Sequence, residues 1–188
     1  MILAIDAGNT RIKWGIHDGS WLEQGAVSYD GIPELIGRVQ AYPALRQAVI
    51  ASVARQQITA ALQAIFDRRG ITALWVKAQA RACGVVNGYA HPAQLGSDRW
   101  AALVAAWHLK HAACVVASAG TALTVDALSA RGEFLGGVIV PGFAMMQQAL
   151  LANTAGIAAV DGDFRDFPVT TGEAVHRGPL QAMAGAVA

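Results

Sequence analysis

The chain is poor in charge. Asp, Glu, Lys and Arg make up 14% of its 188 residues, against about 25% in an average domain. Neither sign dominates: 14 basic and 13 acidic side chains leave a net charge of +1. So small a charge excludes a nucleic-acid or polyanion binder driven by bulk electrostatics. Cysteine is scarce too. Cys83 and Cys114 cannot build a disulfide framework and suit a reducing cytosol. The histidines, His17, His91, His108, His111 and His176, lack metal-ligand spacing. An unbroken membrane span is also missing. The stretch from Phe134 to Val160 is uncharged and long enough to cross a bilayer, but Gly136, Gly137, Pro141, Gly142, Gln147, Gln148 and Asn153 divide it into a strand, a turn and a helix. The opening run Met1 to Ile5 is cut by Asp6 and has neither a basic leader nor a cleavage site, so it does not read as a signal peptide. A cytoplasmic chain with no membrane and no nucleic-acid partner is the expectation. What is plentiful is apolar: 54% hydrophobic residues, 20 glycines and a mean hydropathy of +0.38. That excludes disorder as the main state, and the length allows one or two domains.

The pattern along the chain is α/β. Ile2 to Ile5 is an apolar run ending in Asp6-Ala7-Gly8-Asn9-Thr10. Ile12, Trp14 and Ile16 then alternate with Lys13, Gly15 and His17, the period of a half-buried strand. A turn at Asp18-Gly19 leads to a third strand, Trp21 to Val27. A helix follows over Pro33 to Val39, a buried strand over Ala48 to Val53, a helix from Gln56 to Arg68 stopped by Gly70, and a short strand at Leu74 to Val76. Gly84 to Tyr89 reads as a loop or edge strand. A helix runs from Asp98 to Lys110, with Ser97 or Gly96 as its cap. Three strands follow, Cys114 to Ala117, Leu123 to Leu128 and Phe134 to Val140, then a helix over Ala144 to Ala152. Asp161 to Pro168 reads as a loop, and Thr171 opens a last helix with Glu173 in its first turn, where a carboxylate suits the dipole. Two halves, residues 1–110 and 111–188, thus each open with a hairpin whose turn carries Gly-Asn-Thr or Gly-Thr. The second half stops early: it is either C-terminally incomplete or unusually small.

Four motifs carry chemistry. In Asp6-Ala7-Gly8-Asn9-Thr10 a glycine turn can aim backbone N–H groups at a phosphate. Asn9 and Thr10 add donors, Lys13 adds charge, and Asp6 can hold a hydrated Mg²⁺, which takes one or two carboxylates plus phosphate oxygens. The same residues also make an ordinary Asx-type turn. In Gly120-Thr121-Ala122-Leu123-Thr124-Val125-Asp126 a second Gly-Thr turn joins two strands, and Asp126 offers a second carboxylate for metal or water. Strand threonines read equally as strand propensity. Together the two turns would clasp a polyphosphate between lobes. In Gly96-Ser97-Asp98-Arg99 the plain reading is a helix start. The functional one is a carboxylate that accepts a substrate hydroxyl proton, with Arg99 as an anion clamp. In Gly136-Gly137-Val138-Ile139-Val140-Pro141-Gly142 the glycines either admit a ligand to the backbone or make a bulge and a turn.

In this order and spacing the motifs resemble the type III pantothenate kinases, a branch of the acetate-and-sugar-kinase/actin ATPase superfamily. The pieces are Asp-x-Gly-Asn-Thr at 6–10, Tyr89-x-x-Pro92-x-x-Leu95-Gly96-x-Asp98-Arg99, Gly120-Thr121-Ala122-x-Thr124-x-Asp126, Gly136-Gly137-x-Ile139-x-Pro141-Gly142 and Thr171-x-x-Ala174-Val175-x-x-Gly178. The Val116-Ala117-Ser118 variant and the Pro-Gly-x-Ala-Met-Met stretch look more like the subgroup called Bvg accessory factor proteins. The resemblance implies two ribonuclease H-like (actin-like ATPase) lobes with mixed sheets flanked by helices, and ATP-dependent phosphorylation of pantothenate at its primary hydroxyl, the first step toward coenzyme A. It implies Asp98 as proton acceptor, and Tyr89, Gly96, Ser97, Asp98 and Arg99 as pantothenate contacts. Asp6, Gly8, Asn9, Thr10, Arg11 and Lys13 become the ATP phosphate loop, with Gly120 and Thr121 a second phosphate contact. Thr171 becomes a pantothenate contact reached across a homodimer interface. Relatives usually carry Asp at the place of Ser118, where it ligates K⁺ or NH₄⁺. A neutral hydroxyl binds such a cation more weakly, so the cation site is expected to be lost or poor. The rival readings are a catalytically inactive regulatory or accessory protein that keeps the kinase fold, which Ser118 and the short second half favour, and a superfamily phosphatase, for which no carboxylate besides Asp98 offers itself. An actin-like filament protein would need insertions that a chain of this length does not have.

Overall fold

The computed structural model describes residues 1–157 and 162–188. They divide into two compact units, Met1–Ala82 with Tyr89–Val104, and Cys83–Gly88 with Ala105–Ala188. The first contains β1 (Ile2–Ala7), β2 (Arg11–His17), β3 (Trp21–Ser28), α1 (Ile32–Gln40), β4 (Gln47–Ser52), α2 (Gln56–Arg69) and β5 (Thr72–Trp75). Its sheet runs β3-β2-β1-β4-β5. The first three strands form an antiparallel meander, while β4 lies parallel to β1 and β5 parallel to β4. That is the ribonuclease H-like arrangement the resemblance implies. Alternation explains the meander: Leu3, Ile5 and Ala7 of β1 and Ile12, Trp14 and Ile16 of β2 are buried, as the period of two demands. The helices add apolar residues four apart, Leu35 and Val39 on α1 and Leu62 and Phe66 on α2, to the same core. Gly70 ends α2 in the left-handed conformation, φ 62°, which glycine adopts without a Cβ penalty.

The short strand β6 (Arg81–Ala82) and β7 (Val85–Asn87) precede α3 (Ser97–Lys110). The second sheet runs β6-β7-β10-β9-β8, with β8 (Cys114–Ala119), β9 (Ala122–Leu128) and β10 (Glu133–Pro141) again an antiparallel meander. The internal echo in the sequence is therefore structural: β8-β9-β10 repeats β1-β2-β3. The stretch from Gly84 reads from sequence as a loop or edge strand. Its Val85–Asn87 segment is the strand of those two readings, but it lies between β6 and β10 rather than at the edge, with β10 as parallel neighbour, Val86 opposite Glu133 and Asn87 opposite Phe134. Its partner lies almost fifty residues away, so no local pattern announces it. Among the described residues β8 has a sheet neighbour on one side only, whereas β1 has one on each, and Val115 on β8 and Val138 and Ile139 on β10 stand at least half exposed.

The remaining helices are α4 (Phe143–Asn153) and α5 (Thr171–Val187). The loop expected to start at Asp161 starts outside the described residues; from Gly162 to Thr170 the chain is irregular. Thr170 caps α5. Its side chain accepts from the Glu173 N–H at 3.2 Å, and Glu173 accepts from the Val169 N–H at 2.9 Å. This is a capping box shifted one residue upstream. Arg165 adds an ion pair at 3.0 Å. The Val169 hydrogen bond chiefly, helped by the Arg165 charge and by Thr170, holds the Glu173 carboxyl below its ordinary pKa, although burial opposes it. A carboxylate whose pKa falls on folding adds stability that is complete above the unfolded pKa and is lost as pH drops through the folded one. Glu173→Gln is therefore expected to lower the melting temperature at pH near 7 and to shrink the loss of stability between about pH 5 and pH 3. Thermal melts of both proteins across that range check it.

Candidate active site

In the first unit, three chain segments meet at the carboxyl ends of β1 and β4, the end of a parallel pair where ligands bind in open α/β sheets. The first segment is the β1–β2 turn. Asp6 belongs to the strand rather than to the turn and lies opposite Lys13 in register. That places the Lys13 ammonium 3.3 Å from the Asp6 carboxylate, with both side chains about half exposed at 56% and 41%. Such an exposed pair contributes little stability, so both charges stay available to a ligand. The Gly8 N–H donates to the Arg11 carbonyl at 3.2 Å and closes the turn. The Gly8 carbonyl accepts from the Tyr29 hydroxyl. Asn9, Thr10 and Arg11 are exposed. A Cβ on Gly8 would meet only the Arg11 carbonyl, at 3.5 Å, an ordinary contact; the fold itself leaves space over this residue.

The second segment is the loop after β4. Val53 N–H donates to the Ala7 carbonyl at 3.0 Å, tying this loop to the end of β1. The third is the start of α3. Ser97 reads from sequence as a cap or a ligand contact, and the structure puts its hydroxyl to a different use. It accepts from the Ser52 N–H at 2.9 Å and donates to the Ser52 carbonyl at 3.0 Å, continuing the edge of β4 with a side chain. Ser52 is itself held, its hydroxyl 3.3 Å from that of Thr59. The Asp98 side chain accepts from the Arg99 N–H at 2.8 Å through Oδ1, which leaves Oδ2 for other partners. A Cβ on Gly96 would stand 2.5 Å from that Oδ1 and 3.6 Å from Val53, so glycine at 96 is what lets the carboxylate sit where it does. Arg99 is 6% exposed. Its guanidinium donates to the Tyr89 hydroxyl at 2.8 Å and lies 5.6 Å from the centre of that ring. A guanidinium so held keeps little rotamer freedom.

Asp6, Asp98, Arg99 and Tyr89, more than ninety residues apart at the extremes, thus belong to one unit and are linked through residues 52, 53 and 97. Sequence reading missed Tyr29, Ser52 and Val53. The last two act through backbone groups that no side-chain motif advertises, and a tyrosine after a strand carries no signal of its own.

In the second unit the corresponding turn lies between β8 and β9. The Gly120 N–H donates to the Ala122 carbonyl at 2.9 Å, the counterpart of the Gly8 bond, and Thr121 is exposed. The Pro141-Gly142 pair braces it. Gly142 N–H donates to the Thr121 carbonyl at 2.9 Å, and a Cβ at 142 would fall 2.2 Å from the Gly120 oxygen and 2.5 Å from that of Thr121. The paired glycines at the start of this motif have the plainer role: the register shifts between Phe134 and Gly136, and Gly136 has φ 130°, a bulge rather than a ligand seat. Ser118 is exposed on β8 opposite Thr124, whose buried hydroxyl has no hydrogen-bond partner among the described residues. Asp126 is only 1% exposed. Thr171, first residue of α5, is exposed.

Among the described residues no group of three or more His, Cys, Asp or Glu side chains could hold a metal. The half-exposed Asp6 carboxylate is of the kind that a hydrated Mg²⁺ takes when its other ligands are water and phosphate oxygens. Ser118 and Thr124 bring two hydroxyl-bearing residues opposite each other on β8 and β9. No helix is long and apolar enough to cross a membrane among the described residues.

Comparison with known proteins agrees over the whole chain. A family model described as type III pantothenate kinase matches residues 2–188. A type III pantothenate kinase of Nitrosospira multiformis is 44% identical over 188 residues, 100% of this chain and 72% of that protein. One of Aromatoleum aromaticum is 46% identical over 188 residues, 100% of this chain and 78% of that one. Among solved structures, a Campylobacter jejuni protein described as a Baf family transcriptional activator superposes with a TM-score of 0.60 at 18% identity, covering 97% of this chain and 75% of that one; this is a likeness of fold.

Proposed function

The chain belongs to the type III pantothenate kinase family, and from that premise we propose that it transfers the γ-phosphoryl group of ATP to the primary hydroxyl of pantothenate, the first step of coenzyme A biosynthesis. The observation that carries the site is the linkage of the Asp6–Lys13 hairpin to Asp98 through residues 52, 53 and 97. The proposed phosphate turn and the candidate proton acceptor are tied together by one backbone hydrogen bond and the two hydrogen bonds of the Ser97 hydroxyl, at one end of one sheet.

The roles follow from the chemistry. Phosphoryl transfer has a loose transition state, so positioning and charge neutralisation dominate. The Asp6–Lys13 hairpin binds the polyphosphate, with Asn9, Thr10 and Arg11 on its exposed rim. Asp6 would hold Mg²⁺ through water, and the ion would supply neutralisation of the phosphate oxygens. Asp98 orients the acceptor hydroxyl and takes its proton late. Arg99, fixed by Tyr89, receives the pantothenate carboxylate. For Gly120, Thr121 and Thr171 and for a homodimer the support is the family motifs alone, and for a cytoplasmic location it is the two lone cysteines. The direct test is formation of phosphopantothenate from ATP, Mg²⁺ and pantothenate by the purified chain, followed by mass. Absence of product from folded protein that still binds nucleotide would overturn the kinase reading.

Ser118 leads to a second expectation. Without a carboxylate on β8 the cation site is weak, so K⁺ and NH₄⁺ are expected to change the turnover rate less than about twofold up to roughly physiological concentration, because a neutral hydroxyl gives a hard cation much less charge to bind. A steep, saturating K⁺ activation curve would show that the hydroxyls of Ser118 and Thr124 suffice.

A further inference from the structure

We propose that Tyr29 is a positioning residue of the phosphate turn: by donating its hydroxyl to the Gly8 carbonyl it sets the Gly8–Asn9 peptide so that the Asn9 N–H faces a bound phosphate. The proposal rests on the reading of that turn as an ATP site. It starts from where each backbone group of the turn goes. The Ala7 carbonyl is taken by Val53 and the Gly8 N–H by Arg11. The Gly8 carbonyl is taken by Tyr29, twenty-one residues on. In a trans peptide the C=O and the following N–H point in opposite directions. Anchoring the Gly8 carbonyl on Tyr29 therefore turns the Asn9 N–H away from Tyr29. Asn9 is exposed, and among the described residues its N–H has no hydrogen-bond partner. A backbone donor fixed in this way and left open is the element from which an anion nest is built.

Tyr29 is well placed for the task. It follows β3 directly, and Ser28 at the end of β3 pairs with Arg11, so the tyrosine starts beside the far end of the same turn. Tyr29 is also a dependable donor. Burial lifts its pKa above the ordinary phenol value, with the Arg55 charge opposing and the Asp6 charge adding to the rise, so the hydroxyl keeps its proton throughout the neutral range. The Cβ space over Gly8 completes the geometry, because it lets a ligand reach the peptide that Tyr29 orients.

The test uses the full chain and Tyr29→Phe, which removes one oxygen. The dissociation constant for Mg-ADP, by calorimetry, and the KM for ATP are expected to rise about three- to tenfold, as loss of one neutral hydrogen bond allows, while the KM for pantothenate stays put. A nucleotide constant unchanged by the substitution overturns the proposal. So does an equal rise in both KM values, which would mark a general loosening. A second measurement needs no variant. In an amide-resolved NMR titration of the unaltered protein with Mg-ADP, the Asn9 amide resonance is expected to shift downfield. Nucleotide binding with a stationary Asn9 resonance overturns this inference alone, whereas failure of the unaltered protein to bind Mg-ADP or Mg-ATP overturns the ATP reading beneath it.

Discussion

Asp98→Asn is expected to cut kcat for phosphopantothenate formation by about 10²–10⁴-fold, the range for loss of a positioned general base, while the dissociation constant for ATP stays unchanged. The substitution is nearly isosteric. The hydrogen bond from the Arg99 N–H to Oδ1 at 2.8 Å survives on the amide oxygen, so the first turn of α3 keeps its geometry. What changes is the other atom. Oδ2 becomes an NH₂ group, which donates and cannot take a proton. The acceptor hydroxyl of pantothenate then meets a donor where it needs an acceptor. ATP binding is assigned to the hairpin at 6–13, which the substitution does not touch, so the loss falls on kcat and not on nucleotide affinity. Measuring both constants separates the two. Turnover within a few-fold of the unaltered protein would remove Asp98 from the mechanism and leave it a helix-start residue only.

The second large effect is expected at Gly142. Gly142→Ala puts a methyl 2.2 Å from the Gly120 oxygen and 2.5 Å from the Thr121 oxygen. Neither atom is the end of a flexible side chain; both are backbone of the β8–β9 turn, so the turn itself must shift. Overpacking of this kind costs about 1–3 kcal/mol, and here it also strains the bond from the Gly142 N–H to the Thr121 carbonyl. The expected result is a lower melting temperature together with a raised KM for ATP if Thr121 contacts phosphate. Thermal melts and steady-state kinetics read the two parts independently. Unchanged stability would mean that the turn yields freely and that Gly142 does not brace it.

Much of this protein was legible in its residues. Period-two alternation in Ile12, Trp14 and Ile16 marked β2, because burial of one sheet face imposes that period locally, and apolar runs between turn residues marked its neighbours. Gly70 ended α2, and Gly8, Asn9, Thr10, Gly120 and Thr121 marked two corresponding turns, because turn chemistry is written in a few neighbouring residues. The family and its candidate site residues followed from motifs of the same local kind. Tertiary structure decided the rest. Val85–Asn87 became a parallel strand only because β10 lies beside it, a pairing across almost fifty residues. Ser97 became the clasp of β4, because the unsatisfied backbone of Ser52 faces it in space. Tyr29 reached Gly8 because β3 folds back along β2. Each of these depends on backbone donors and acceptors that every residue carries alike. Such groups leave no mark in a sequence, and only the fold determines which of them meet.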